Sequence, residues 1–516
     1  MKTTRVAYIK IAWISVLVGL CAATGSRADF RDDIGLTRLL IELAANAPSG
    51  SDIKISQVEA FSLGSYYPDG SSPDFAGQVF IDQSNLSTAP SGHASNVGRV
   101  LYGGSLGVAP GIRDVDSYEA TDWYSRILMR SDNGFLGAPL VESAAIQNHS
   151  WVASRTGDDV PVGVAIKIIR LFDYQIARDH VVSVVSLHND PNEHVPDLLS
   201  HNYNAITVGK TSGVHSSGGT LFDGVGRVKP DLVAPAESTS FAVPMVSGAA
   251  AILLEEVEAH PALADAGRPT VIKALLMAGA TKQEFSRWTN QTSPLDPDVG
   301  AGELNVYNSY QILHAGEQDF MPDAEVTLTG WDYGVVGEER TNHYFMTIPA
   351  DHVVLECSAM LVWNRRIIDT DPGPVFEADV DLPDHDLLLH EARDFEVISL
   401  LNNSRSRTDN VEHIYHRTPL EGGLALSVAS RTGGDYAIAW RMTVVRRAAI
   451  RSIEPSGEGA AIHAEVETGL AYALQASDDY SNWVSLGGEV AGDAEVILRD
   501  ARPFVSSRSY RVAMVY

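Results

Sequence analysis

From about residue 33 to 318, short apolar β-rich runs alternate with longer stretches of helical periodicity. Parallel strands cannot be joined by tight turns and need helical crossovers, so this alternation restricts the segment to a parallel sheet wrapped by helices. Residues 53–58 (IKISQV), 144–147, 181–187 and 204–208 read as strands. Residues 164–180 read as a helix whose Ile166, Ile169, Phe172 and Ile176 share one face, directed at the sheet. After Tyr310 the helical period fades, and runs at 353–355, 360–363, 387–389, 424–428 and 436–440 alternate with turn residues, as in an all-β domain. Residues 402–407 read as an exposed loop, and a basic, proline-containing join at 446–455 precedes a last segment with strands at 472–475, 483–486 and 510–515.

A chain of 516 residues is too long for one core, because single cores stop growing near ~250 to 300 residues. The expected division is a leader at 1–28, an α/β domain at 29–318, a β-sandwich at 319–446 and a small β module at 447–516. Hydrophobic residues make up 45% of the chain, which excludes disorder. The net charge is −28 and only eight residues are lysine, with no basic run to neutralise a phosphate backbone, so nucleic-acid binding is not expected.

Lys2, Arg5 and Lys10 precede an apolar run at 11–23, and Ser26-Arg27-Ala28 places small residues where a signal peptidase reads. This predicts an exported protein, secreted or periplasmic, whose charge falls to −32 once residues 1–28 are removed. Bulky Leu20 before Cys21 argues against a lipid anchor, and no other stretch reaches ~18 uninterrupted apolar residues, so no spanning segment is expected. Cys357 is then the one remaining thiol, so no internal disulfide is expected.

The strongest chemical signal is the run 237–250 (ESTSFAVPMVSGAA), preceded by 229–235 (KPDLVAP). A loop there feeds into an apolar, small-residue helix and places Ser240 at its N-terminus, where free amides and the helix dipole favour developing negative charge. Ser240 is either a nucleophile or a cap, and the difference is whether a base stands nearby. His93, at the head of SGHASNVGRV (91–100) and followed by GVAPG (107–111), is such a base.

These segments resemble the subtilases, the subtilisin-like serine peptidases. The His93 stretch is similar to the family's HGTHVAG box with its GVAP turn, and the Ser240 stretch to KPDLVAP followed by GTSxAxPxVxG. Residues 181–189 (VVSVVSLHN) resemble the strand that ends in the oxyanion-binding asparagine, here Asn189, and 298–305 (DVGAGELN) the GxGxxN turn. The likeness spans roughly residues 50–315 with its motifs in the family's order. It implies a catalytic group of His93 and Ser240, with an acid ending the first strand. There the family has Asp-Ser-Gly, whereas this chain has Glu59-Ala60; Glu59 is therefore the expected acid, with Asp69 and Asp74 as the alternatives. A glutamate also brings the sedolisins to mind, but those need carboxylates where this chain has His93 and Asn189.

The resemblance implies a secreted serine endopeptidase acting on polypeptides through an acyl-enzyme. Ser150, Trp151, Val152, Leu187 and His188 occupy the expected substrate-pocket positions, and their side chains predict a smaller first pocket. Pro235 and Ser240 are only five positions apart, and Ser238 replaces the customary glycine, which should reshape the leaving-group side of the cleft. One helix at 37–45, and no folding prodomain, fits between the leader and residue 53. The sandwich resembles the jelly-roll domains that follow some bacterial catalytic units, and the last segment resembles fibronectin-like modules. His149, His188 and His201 lack metal-ligand spacing, and no metal centre is expected at the site. Asp384, Asp386, Asp409 and Asn410 are an oxygen-rich candidate set for calcium, weighed against a solvated loop. No further cofactor is expected, and the protein is expected to be a monomer. The alternative is a catalytically impaired subtilase scaffold that binds surfaces or polymers through its β domains.

Overall fold

The computed structural model describes residues 29–515 apart from 63, 87–88, 133–134, 154–160, 283–284, 286–293, 370–375, 377, 458, 480 and 504–507. The leader, with Cys21, lies outside the described residues. The chain divides into two compact units. One takes the described residues of Met1–Met346, Ser358–His416 and Ala425–Arg441; the other takes those of Thr347–Cys357, Arg417–Leu424 and Met442–Tyr516.

The first unit is built on a seven-stranded sheet. Its strands are β1 (Ile55–Glu59), β2 (Val79–Asp82), β3 (Asp114–Glu119), β4 (Ile146–His149), β5 (Val182–Ser186), β6 (Ile206–Lys210) and β7 (Leu232–Ala234), in the order β7-β6-β5-β4-β1-β3-β2. Every neighbouring pair is parallel. β1, β4, β5, β6 and β7 are buried along their whole length, as strands covered by helices on both faces must be. The order reverses beside β1, so the crossovers diverge there and leave a crevice at the carboxyl ends of the central strands.

Helices α1 (Phe30–Asp33), α2 (Leu36–Leu43), α3 (Gly92–Leu101), α4 (Val162–Asp179), α5 (Thr239–Ala259), α6 (Pro269–Gly279) and α7 (Val306–His314) surround the sheet. On α4, Ile169, Phe172 and Ile176 are fully buried and Ile166 half-buried, the face that the 3.6-residue period predicts. α5 is different. Apolar nearly all round, it is long and apolar enough to cross a membrane, and it runs through the middle of the hydrophobic core. Gly248 on α5 allows this depth: a Cβ there would lie 2.6 Å from that of Val108.

The second half of the chain forms antiparallel sheets. Strands β8 (Thr329–Val336), β9 (Arg340–Thr347), β10 (His352–Val362), β11 (His385–Arg393), β12 (Glu396–Ser404), β13 (Val411–His416), β14 (Gly423–Ser430) and β15 (Gly434–Arg446) make two four-stranded sheets, β8-β15-β10-β13 and β9-β14-β11-β12. The loop expected at 402–407 begins late, because β12 continues to Ser404. Trp331, Met360, Val362, Val411 and Ala437 share one hydrophobic core with α6 and α7. Across the same contact, buried Arg365 forms ion pairs with Asp173 and Asp223 and lies over the Tyr203 ring.

In the second unit, β16 (Ala449–Ser456), β17 (Gly459–Glu465), β18 (Ala471–Ser477), β19 (Val484–Val490), β20 (Glu495–Asp500) and β21 (Ser509–Val515) form sheets β16-β17-β20 and β19-β18-β21 around Ile462, Tyr472, Leu474 and Leu498. The join expected at 446–455 is mostly strand β16, with Pro455 opposite Ala460.

Candidate active site

β1 delivers a carboxylate to the crevice. Alternation along the strand sends Gln57 and Glu59 to the same side, and both are buried, Glu59 to 1% exposure. A buried carboxylate must be hydrogen-bonded through both oxygens, and this one is. Oε2 lies 2.7 Å from Nδ1 of His93, and Oε1 accepts a 2.9 Å bond from the Gln57 amide. The same amide nitrogen donates to the Ala94 carbonyl at 3.0 Å, and the Tyr102 hydroxyl donates to Gln57 Oε1. Gln57 therefore ties the strand to the helix that carries His93. Gly98 makes room for this link, since a Cβ there would stand 2.5 Å from the Tyr102 hydroxyl oxygen. The alternative acids lie elsewhere: Asp69 accepts from the Ser71 backbone and hydroxyl, and Asp74 from those of Ser105.

His93 sits in the first turn of α3. Ser91 caps that helix, its hydroxyl accepting from the Ala94 amide at 3.3 Å, while Ala94, Ser95, Val97 and Gly98 form the buried face. The imidazole is held at the mouth of the site with its side chain 37% exposed. Burial alone would lower its pKa; the Glu59 charge and hydrogen bond outweigh that and raise it above the ordinary histidine value. Its ring stacks on Phe241, centroids 6.1 Å apart, which brings the residue after Ser240 against the imidazole.

Ser240 is the second residue of α5. The preceding Ser238 makes no capping bond, and among the described residues the Ser240 N–H has no acceptor, so a helix-terminal amide stays open at the site. The backbone carbonyl of Ser240 is also special. Pro244 lies four residues on and has no N–H to give it; the Ser150 hydroxyl donates instead, at 2.9 Å. Ser150 is fixed in turn by the Asn148 amide at 3.0 Å, and Asn148 by the Ser247 hydroxyl at 2.9 Å. The Ser240 hydroxyl and His93 Nε2 are not bonded to each other in this structure, and neither has a partner among the described residues.

Asn189 follows β5. The Thr239 N–H donates to its Oδ1 at 2.9 Å, and this fixes the amide orientation, because an N–H donor must meet the oxygen. Nδ2 is the other end, and it makes no hydrogen bond among the described residues. The Thr239 hydroxyl donates to the Leu187 carbonyl at 2.6 Å, joining β5 to the start of α5.

Of the expected pocket residues, Ser150, Trp151 and Leu187 are buried, and Val152 and His188 half-buried. The Trp151 indole N–H donates to His149 Nδ1 at 3.2 Å, and burial pushes the His149 pKa down to about 3. His188 pairs through its backbone with Ser216, accepting at 2.9 Å and donating to the Ser216 hydroxyl at 3.1 Å. Asp384, Asp386 and Asp409 do not converge: Asp409 binds the Ser406 hydroxyl, and Asn410 donates to the Tyr203 and Trp363 carbonyls. Among the described residues, the carboxylates that do gather are Glu317, Asp319 and Asp332, with Asp332 receiving the Tyr344 hydroxyl.

Gln57, Tyr102 and Phe241 were not anticipated. For Gln57 the signal was available, two positions before Glu59 on the same strand face; for the other two no local pattern points to the contact.

No curated protein matches this chain. Among solved structures, fervidolysin from Fervidobacterium pennivorans, a keratinolytic enzyme related to subtilisin, is 15% identical with a TM-score of 0.36, covering 91% of this chain and 76% of its own. The serine protease of Aeromonas sobria is 14% identical with a TM-score of 0.33, covering 77% and 89%. The CspB protease of Clostridium perfringens is 14% identical with a TM-score of 0.39, covering 54% and 96%. The family model described as the subtilase family matches residues 81–293, which include His93, Asn189 and Ser240 and leave Glu59 outside. The match to the subtilase family covers less than half of the chain and lies on the parallel sheet flanked by helices.

Proposed function

We propose that the protein is a secreted serine endopeptidase in which Glu59, His93 and Ser240 act together. The 2.7 Å contact between a buried strand-end carboxylate and the His93 ring, beside an open helix terminus carrying Ser240, is the observation that carries this reading. Glu59 holds the Nδ1–H tautomer and stabilises the imidazolium. His93 Nε2 takes the proton of the Ser240 hydroxyl as it attacks the peptide carbonyl, and then delivers it to the leaving amine. Water repeats the cycle on the acyl-enzyme. The Ser240 N–H and Asn189 Nδ2, both without acceptors among the described residues, are suited to hold the tetrahedral oxyanion. Glutamate is one methylene longer than aspartate, and its second oxygen is tied back by Gln57, which offsets the added freedom.

Ser150, Trp151, Val152, Leu187 and His188 would shape a narrow first pocket beside the attacked carbonyl. Export is supported by the basic start and apolar run of residues 1–28. The strand order of the two four-stranded sheets supports a jelly-roll-like sandwich, and the paired three-stranded sheets a small fibronectin-like module.

An alkylphosphonate probe tests the reading, since only an activated serine hydroxyl reacts with it. Wild type should label and cleave casein, and Ser240→Ala should do neither. A wild-type protein that takes no label and cleaves no peptide would leave the scaffold alternative instead.

A further inference from the structure

Four lysines are buried in the first unit, and three have their ammonium groups engaged. Lys229 pairs with Asp231 at 2.8 Å, Lys273 with Asp231 at 3.3 Å, and Lys282 donates to the Ala280 carbonyl and the Ser358 hydroxyl. Lys210 is the exception. It is 5% exposed, and its ammonium has no hydrogen bond or ion pair with any described residue. Burial alone holds its pKa below the ordinary lysine value. Its stem is buried while the ammonium tip is not closed off, so it stands ready to pair with an anion that enters beside it.

Lys210 ends β6 directly opposite Ala234, where the five-residue passage from Pro235 to Ser240 begins. There it lines a cleft of about 850 Å3, within the size range of ligand-binding pockets. The other walls are mainly apolar: Phe30, Val100, Ala236, Phe241 and Met245. Asp33 and Glu237 lie on its exposed edge, and neither forms an ion pair with Lys210. Phe241 is shared, for it forms a wall of the cleft and also stacks on His93. The cleft therefore opens beside the imidazole that, in the proposed mechanism, hands its proton to the departing amine.

We infer that this cleft receives the leaving-group side of the peptide substrate and that Lys210 binds a carboxylate there, carried by an acidic side chain or by the peptide's own C-terminus. The inference rests on the peptidase reading for its direction along the substrate, while the carboxylate site itself stands on the cleft and the unpaired lysine. Phe30, Val100 and Met245 would cover the apolar part of the same segment.

The test uses quenched fluorescent peptides with one acyl-side sequence and leaving-group segments that carry Glu or Gln at each of the first three positions, each with a free or amidated C-terminus. Wild type should favour a carboxylate at one of these places by roughly tenfold in kcat/KM, as a charge-assisted hydrogen bond to a partly buried lysine gives. Comparing the Glu and free-terminus arms tells which source of carboxylate is read. Lys210→Met should erase that preference and leave cleavage of the neutral, amidated peptide and phosphonate labelling within about twofold. Equal rates for carboxylate and neutral peptides in wild type, or a preference that survives in Lys210→Met, would overturn the inference. If wild type labels with nothing and cleaves nothing, the peptidase reading fails by itself, and calorimetric titration of the leaving-group tripeptides into both proteins still decides: tighter binding of the carboxylate forms to wild type alone upholds the site, and equal binding removes it.

Discussion

The two halves of the site are braced in opposite ways. On the Glu59–His93 side, the acid–base half of the proposed mechanism, every polar atom but one is engaged: Glu59 through both oxygens, Gln57 through both ends of its amide, His93 through Nδ1. On the nucleophile side the bracing is neutral and reaches the backbone, through Thr239 on Asn189 and Ser150 on the Ser240 carbonyl, while the Ser240 N–H and Asn189 Nδ2 stay open. The difference follows from what each half must tolerate. A buried charge left with a free lone pair costs several kcal/mol, so the acid must be saturated before substrate arrives. In the proposed mechanism, donors for a transient oxyanion must instead be oriented and left unused.

The comparison breaks most sharply at Glu59. Glu59→Gln should lower kcat/KM by on the order of 10³- to 10⁴-fold, by analogy with loss of the acid in other serine peptidases. It should also shift the pH profile. In the proposed mechanism His93 works as the neutral base, so activity should rise with pH through a pKa that Glu59 holds above the ordinary histidine value; without that charge burial dominates, and the acid limb should move to lower pH. The same sign governs stability: a raised histidine pKa means that the contribution of the pair is present below the unfolded histidine value and is lost as pH rises through the folded one. A pH–rate series and a pH–Tm series on both proteins check the two statements.

Asn189→Ala comes next. In the proposed mechanism it removes a donor that acts only on the oxyanion, so kcat should fall roughly 10²- to 10³-fold with KM little changed, the magnitude seen on removing such a donor in subtilisin. A comparable rise in KM would show that Asn189 binds substrate instead.

Gln57→Leu leaves one Glu59 oxygen and the Ala94 carbonyl without their donor, and should lower stability by about 1 to 3 kcal/mol. Activity should drop by about tenfold, with a displaced acid limb, and Tyr102→Phe should produce a weaker version of both effects. Denaturant melts with pH–rate profiles separate this positioning role from a packing defect, which would change stability alone.

Ser150→Ala has the smallest expected effect on rate, a few-fold, because it touches neither proton transfer nor oxyanion; it leaves the Ser240 carbonyl unpaired beside Pro244 and should lower stability by about 1 kcal/mol. A loss of activity as large as that of Asn189→Ala would show that bracing on the two sides is coupled.

Much of this was legible in the sequence because the signals are local. Strand β1 ends in Glu59, Ser91-Gly92 opens the helix of His93, and an apolar small-residue run follows Ser240; each shows in a window of ten residues. What escaped depends on chain segments far apart. The Gln57 to Tyr102 contact spans 45 positions, and the passage of Trp331 and Met360 into the core of the α/β sheet could not be read from the alternation of β8 and β10, which marks a buried face without naming its partner. The strand at 449–456 was hidden by Pro455 and its basic neighbours, features that mark linkers and edge strands alike. Lys210 is the plainest case: a lysine ending a parallel strand looks wholly exposed until the segments that cover its stem are placed.

One consequence follows from where α5 runs. Its tip faces the crevice, but its body, from Ala242 to Leu254, lies at the centre of the hydrophobic interior. Local openings of a fold begin at its periphery, whereas interior helices exchange with solvent only when the whole cooperative unit comes apart. The proposed nucleophile, the Ser240 hydroxyl, is thus tethered to the last element to melt, so heat should abolish turnover together with global unfolding rather than through an earlier loosening of the crevice.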